Sequence, residues 1–162
     1  MARVYLGLGS NVNPQENLKL GVAELRRRFG ELEISKVYRN SAVGFEGADF
    51  LNLVVGLSCD DSPSEIHTQI EAIHQLVGRQ LNAAKFSSRP LDIDLLLCGD
   101  QVINDPPVRV PRSDILEYGF VLRPLKELAP HVIHPETGRS LEEHWQTFDA
   151  DRHHLTPVGI IL

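Results

Sequence analysis

Arg89-Pro90-Leu91-Asp92-Ile93-Asp94-Leu95-Leu96-Leu97-Cys98-Gly99 sets two carboxylates at the mouth of an apolar strand. Side chains alternate across a strand, so Asp92 and Asp94 are expected on one face and Leu91, Ile93, Leu95 and Leu97 on the other. Carboxylates one strand repeat apart, about 7 Å between Cα atoms, suit one or two hard divalent ions, and Mg²⁺ favours carboxylates combined with substrate phosphates. Between Glu71 and Asp92 the chain has no acidic residue, yet it carries His74, Arg79, Lys85 and Arg89. Cations beside metal-binding acids point to a polyphosphate. Arg89 is placed to neutralise one acid or to grip a phosphate bidentately. A purely structural ion pair, or two solvated turn acids, has the same spacing.

Working outward, 162 residues with 42% apolar and 23% charged content fit a single domain over residues 1–162 with a substantial core. A formal charge of −6 argues against a general nucleic-acid binder, which needs excess cations. Any phosphate ligand is therefore small. Cys59 and Cys98 each lie in an apolar stretch and read as core hydrophobes in a reducing compartment. The chain enters a strand-like run at Val4 without a signal-like or membrane-spanning segment, so a cytoplasmic protein with no membrane partner is expected.

Val4 to Leu8 reads as a buried strand ending in Gly9-Ser10-Asn11, and Asn13-Pro14 as a helix start with Leu18, Val22, Leu25 and Phe29 as its stripe. Leu32 to Tyr38 and Phe50 to Cys59 read as strands, separated by a loop from Asn40 to Asp49. Ser62-Pro63-Ser64-Glu65 is a capping box opening a helix whose inner face is Ile66, Ile70, Ile73 and Val77, ended by Gly78. After the strand of Asp92 and Asp94, a short hairpin with Gln101 to Ile103 is expected. Beyond Asp105 prolines break the chain into short helices at Ser113 to Tyr118, Phe120 to Ala129 and Leu141 to Phe148.

The order strand, helix, strand, strand, helix, strand is that of a ferredoxin-like α+β sandwich. It predicts an antiparallel sheet with helices packed on one face, a Pro-rich C-terminal extension of short helices, and an open face for a ligand. Gly7-Leu8-Gly9-Ser10-Asn11 lacks the lysine and spacing of a P-loop, so side chains and metal must hold any nucleotide. The pairs around His131, His134, His153 and His154 have no cysteine or acid partners at zinc-ligand spacing.

These pieces resemble the 6-hydroxymethyl-7,8-dihydropterin pyrophosphokinase family, folate-pathway enzymes that move the terminal pyrophosphate of ATP onto a pterin alcohol. The likeness runs collinearly through Gly7-Leu8-Gly9-Ser10-Asn11, Tyr38-Arg39, Phe50-Leu51-Asn52, Leu91-Asp92-Ile93-Asp94, Val102-Ile103-Asn104, Val110-Pro111, Gly119-Phe120, Pro130 and His134-Pro135. Lys85, Ser88, Arg89, Asp92, Ile93, Asp94, Leu95 and Leu96 match the family signature, and Ser87 stands where it has Gly or Ala. The resemblance implies ATP and a small pterin as partners, two Mg²⁺ ions on Asp92 and Asp94, and a monomer. It implies Arg89 in catalysis beside the two acids. It places the pterin against Phe50, Asn52, Phe120 and the backbone around Ala42 and Val43, and the nucleotide against Arg79, Lys85, Phe86, Arg89, Arg109 and Arg112. From residues alone, Phe50 and Phe120 read equally as core aromatics, and Asn52 as a strand-end cap.

Departures from the family pattern gather on the nucleotide side. Arg112 stands in place of a histidine, and Tyr118 and Leu81 in place of arginines. The arginine expected near Pro107 is absent, His74 replaces a helix acid, and Phe86 replaces a tryptophan. Two other readings follow from this: a diverged paralogue that binds a pterin-like heterocycle with weak or different phosphoryl transfer, and a non-catalytic ferredoxin-like interaction module. The loops Asn40 to Asp49 and Asn82 to Ser88 have the small and polar residues of lids that order on ligand binding.

Overall fold

The structure, a computed structural model, describes residues 1–78, 90–150 and 154–162. Its centre is an antiparallel sheet. β1 (Ala2–Ser10) runs between β4 (Phe50–Cys59) and β5 (Asp92–Cys98), and β4 continues to β3 (Val37–Asn40) and β8 (Thr156–Val158), giving the order β5-β1-β4-β3-β8. β2 (Glu33–Ile34) also pairs with β4. The stretch expected as one strand from Leu32 to Tyr38 is thus two, broken where the Ser35 hydroxyl turns inward to accept from Val54 N–H at 2.9 Å.

Two long helices cover one face. α1 (Pro14–Phe29) starts at Asn13, whose φ of 40° makes the turn, with Pro14 preset for the first helical position. Leu18, Val22 and Leu25 are its buried stripe. The helix lies so close to the sheet that a Cβ on Gly21 would meet Leu91 Cδ2 at 2.9 Å. α2 (Pro63–Leu76) opens with the expected capping box: Ser62 Oγ accepts from Glu65 N–H at 3.2 Å and Glu65 Oε1 from Ser62 N–H at 3.1 Å. Ile66, Ile70 and Ile73 join Leu6, Leu8, Leu53, Val55, Leu57 and Ile93 in one core, which also buries both cysteines as free thiols.

The other face is not left open along its length. α3 (Asp114–Glu117), α4 (Gly119–Leu128) and α5 (Leu141–Thr147) build a second core there with Tyr5, Val54, Leu96 and Leu97. These sheet residues are apolar on both sides of the pleat and need cover. Tyr38 ties α4 to the sheet, donating its hydroxyl to Glu127, while Arg123 lies 4.7 Å over its ring. Burial, and then Glu127, push the Tyr38 pKa up to about 12.

Two local readings are corrected. Leu97 does not share a face with Leu95: Tyr5 pairs Leu97 and Leu6 pairs Leu95, so Leu96 is an extra residue, and Leu97 turns to the second core. The hairpin after β5 does not involve Gln101. It is a separate ribbon of β6 (Ile103–Asp105) and β7 (Val108–Val110), set beyond the turn that Gly99 makes at φ 57°. β8 was not foreseen; its three residues include Pro157, which suits only a sheet edge. Among the described residues no helix is long and apolar enough to cross a membrane.

Candidate active site

Strand register brings Asp92 and the predicted pterin residue Asn52 into one row. Asp92 lies opposite Gly9, Gly9 opposite Asn52, and Asn52 opposite Tyr38. Paired residues share a face, so Asp92 and Asn52 project from the same side of the sheet, two interstrand spacings or about 10 Å apart, with only a glycine between them. Asp94 lies opposite Gly7 in the same way. Gly7 and Gly9 let neighbouring side chains pack closely over β1: a Cβ on Gly9 would come within 2.6 Å of Asn52 Oδ1, and one on Gly7 within 3.5 Å of Leu96 Cδ1.

Asn52 is buried, and its Nδ2 donates to Asn40 Oδ1, which orients its amide. Phe50 is two residues upstream and on the same face, half-buried, with its ring edge-on to Phe45 at 6.3 Å. Ala42 and Val43 are half-buried in the following loop, whose far end is held when Asn11 Nδ2 donates to Ala48 O at 3.2 Å. Phe120, in the first turn of α4, stacks on Tyr118 at 5.0 Å and 18°. This contact was not anticipated: the residue standing in for a family arginine instead gives Phe120 an aromatic neighbour.

On the outer side of β5 a cavity of about 220 Å³ opens between α2, β5 and the β6–β7 ribbon. His67, Glu71 and His74 line it from the helix, Asp94 from the strand, and Arg109 and Arg112 from the ribbon side. Arg112 is held through its backbone, its N–H donating to Leu96 O at 3.0 Å. Its guanidinium lies 3.5 Å from Asp94 and 3.3 Å from Asp114. Burial opposes that charge, but Asp94, Asp114 and Asp92 outweigh it and keep the pKa above the ordinary arginine value. Arg109 pairs with Glu136 at 3.1 Å. Arg79, Lys85, Phe86 and Arg89, and the second expected lid, lie outside the described residues.

The replaced helix acid has a definite place. His74 is buried on α2, and its Nε2 accepts the Ile93 N–H at 2.9 Å. The ring proton therefore sits on Nδ1, 3.1 Å from Glu71 Oε1. His74 thus pins the peptide between the two carboxylates, and its signal in the sequence was a polar residue next to the Ile70 and Ile73 stripe.

The donor set fits Mg²⁺. Two carboxylates share a face and one of them, Asp94, lines the cavity, through which phosphate oxygens and water can complete an oxygen shell. Among the described residues no three or more His, Cys, Asp or Glu side chains converge as a metal site, so the acid pair would need oxygens from outside the chain to complete a shell. His134 and His144 stand 5.7 Å apart, but Glu136 N–H donates to one and Thr137 pairs the other.

Known proteins resemble this chain in sequence and in fold. Residues 5–130 match the model of the family described as 7,8-dihydro-6-hydroxymethylpterin-pyrophosphokinase. The chain is 39% identical over 145 residues to the 2-amino-4-hydroxy-6-hydroxymethyldihydropteridine pyrophosphokinase of Aquifex aeolicus, covering 88% of this chain and 90% of that one. It is 32% identical to the protein of that name from Pseudomonas aeruginosa, covering 87% and 88%. Among solved structures, the HPPK-DHPS of Plasmodium falciparum superposes with a TM-score of 0.70 at 11% identity. The match covers 90% of this chain and 44% of that one, so this chain spans less than half the length of that structure, and the likeness bears on the fold. With Asp92 and Asn52 in register across Gly9, and the match extending over most of the length, the chain belongs to the 7,8-dihydro-6-hydroxymethylpterin-pyrophosphokinase family.

Proposed function

We propose that the protein transfers the terminal pyrophosphoryl group of ATP to 6-hydroxymethyl-7,8-dihydropterin in folate biosynthesis, releasing AMP and the pterin diphosphate. The observation that carries this is the arrangement about β5. Asp92 and Asn52 stand on one face on either side of Gly9, and a cavity lined by Asp94, Arg109 and Arg112 opens at the outer side of β5. We assign the pterin to the Asn52 side and the nucleotide to the cavity, with the acids between them.

In this reading Asn52 hydrogen-bonds the amide-like edge of the pterin, Phe50 and Phe120 face its ring, and the backbone at Ala42 and Val43 adds further contacts. A ring anchored at Asn52 directs its hydroxymethyl group toward Asp92, since about 10 Å spans a two-ring heterocycle and its substituent. Arg109 and Arg112 contact the nucleotide, with Arg79, Lys85, Phe86 and Arg89 assigned to it from the signature. The hydroxymethyl oxygen bonds to the β-phosphorus as the bridge to the α-phosphate breaks, and the alcohol proton passes to solvent. Asp92 and Asp94 hold two Mg²⁺ ions, which when bound neutralise the triphosphate and ease loss of that proton. No protein nucleophile is needed. The chain acts as one domain over residues 1–162, as a monomer in the cytoplasm.

Separating nucleotides after incubation with the pterin, ATP and Mg²⁺ tests the reading, with Asp92→Ala as control. AMP that depends on both the pterin and Asp92 is expected. ADP would indicate single phosphoryl transfer, and absence of AMP from a folded protein would refute the proposal. Tight pterin binding without nucleotide binding would identify a pterin-binding relative instead.

A further inference from the structure

Arg112 occupies an unusual position, because one of its two acidic partners is also a carboxylate of the metal pair. Its Nη2 is 3.5 Å from Asp94 Oδ1 and its Nε is 3.3 Å from Asp114 Oδ2. Its backbone is fixed to β5 through Leu96 O, and its side chain lines the cavity beyond that strand. We propose that Arg112 is the counter-ion of the metal pair in the free protein, and that it yields Asp94 to a divalent ion only when a polyphosphate arrives with that ion. The inference rests on the reading of Asp92 and Asp94 as metal ligands.

A guanidinium and a divalent cation compete for the same carboxylate. A bare ion must displace Arg112 from Asp94 and gives it nothing in return. An ion carried by a polyphosphate supplies oxygens that the guanidinium fork can grip bidentately. Asp114, which contacts Nε at 3.3 Å, leaves Arg112 one acidic partner when the planar guanidinium swings away from Asp94. Arg109 does not share the role, being paired with Glu136 away from the acids. Metal and nucleotide therefore load together, and by linkage each tightens the other.

Electron paramagnetic resonance of Mn²⁺ tests this on the full chain, with and without the non-reacting nucleotide α,β-methylene-ATP. Arg112→Met is expected to bind Mn²⁺ alone about fivefold more tightly than wild type, the scale of one exposed charge at this distance. The factor by which the nucleotide tightens Mn²⁺ should shrink in the same variant. A fold defect does not raise metal affinity, so the direction distinguishes the proposed role from a structural one. Arg112→Gln serves if Arg112→Met does not fold. Unchanged or weaker binding of Mn²⁺ alone in the folded variant overturns the inference. Asp92→Asn separates the two layers. If it binds Mn²⁺ as wild type does, with and without the nucleotide, the metal-pair reading falls and this inference with it. If it loses Mn²⁺ while the Arg112 variants gain nothing, only the counter-ion role falls.

Discussion

Gly9→Ala puts the close approach of Asn52 to Gly9, and with it the proposed pterin contact, to a quantitative test. The added Cβ would lie 2.6 Å from Asn52 Oδ1 and 3.6 Å from Asn52 Cγ. A carbon and an oxygen normally stop at about 3.4 Å, so one of them must move by about 0.8 Å. Asn52 cannot simply rotate, because its Nδ2 is committed to Asn40 Oδ1 and Asn40 Nδ2 donates in turn to Ser41 O at 3.0 Å. With Asn52 holding the pterin as proposed, displacing the amide loses its bonds to that ring. Two such bonds at about 1 kcal/mol each correspond to about thirtyfold weaker pterin binding. Overpacking adds about 1–3 kcal/mol to the loss of fold stability, which a thermal melt reads separately. Calorimetric titration with the pterin measures the first effect, and Gly7→Ala is the internal control, since its Cβ meets Leu96 Cδ1 at an ordinary 3.5 Å. In an Asn52→Ala background the same Gly9→Ala change should weaken pterin binding by less than threefold, leaving a coupling of about 1–2 kcal/mol between the two sites. Wild-type pterin affinity in Gly9→Ala, or an equal loss in both backgrounds, would refute Asn52 as the pterin contact.

Three further perturbations follow. Asp92→Asn and Asp94→Asn should each lower turnover by about a thousandfold or more, with little change in the thermal midpoint, because metal ligation and not packing is what they remove; steady-state rates near wild type would contradict this. His74→Ala leaves the Ile93 N–H buried and unsatisfied, at a cost of about 1–3 kcal/mol. His74→Gln, which keeps an acceptor, should recover part of it, and equal urea midpoints for the two variants would count against the His74–Ile93 bond. Stability should also fall with acidity through His134 and His144. Burial lowers both pKa values below 6.5, helped at His134 by His144 and at His144 by Arg139. The unfolded imidazoles therefore bind protons that the folded ones refuse, so this contribution is whole above pH 6.5 and lost as pH falls toward the folded values. His144→Gln should flatten the thermal midpoint against pH between 6.5 and 5, and an unchanged slope would exclude the effect.

How much of this was legible in the sequence depended on whether a pattern had a period. The long helices and β4 were readable because Leu18, Val22 and Leu25, then Ile66, Ile70 and Ile73, repeat with the helix, and the capping box at Ser62 has a fixed spacing. The bulge at Leu96 was not, because Leu95-Leu96-Leu97 is uniformly apolar and alternation cannot show which residue is extra. Periodicity showed that the C-terminal helices have apolar faces, but not that these would meet Tyr5, Val54, Leu96 and Leu97 across the sheet. The acids stood out through their spacing, whereas the cavity could not, since α2, β5 and the ribbon each contribute residues with no common motif. His74 was visible only as a missing acid. Its bond to a backbone amide 19 residues away depends on how α2 packs on β5.

The position of β5 at the sheet edge joins these observations. An edge strand presents unpaired backbone groups that must find partners. Here some of those partners also set the site: His74 takes the Ile93 N–H, and Arg112 N–H takes the Leu96 carbonyl. The bond that closes the edge at Leu96 therefore fixes the backbone of the residue whose side chain reaches Asp94. Were β5 an interior strand, another strand would lie where the cavity is, and only one substrate could approach the acids. At the edge, β1 sets Gly9 between Asp92 and Asn52 on one side while α2 and the ribbon shape a recess holding Arg109 and Arg112 on the other. The proposed two-substrate reaction needs such a strand, approached from two directions, and its test is whether Asn52 variants lose pterin binding while Arg109 variants lose nucleotide binding.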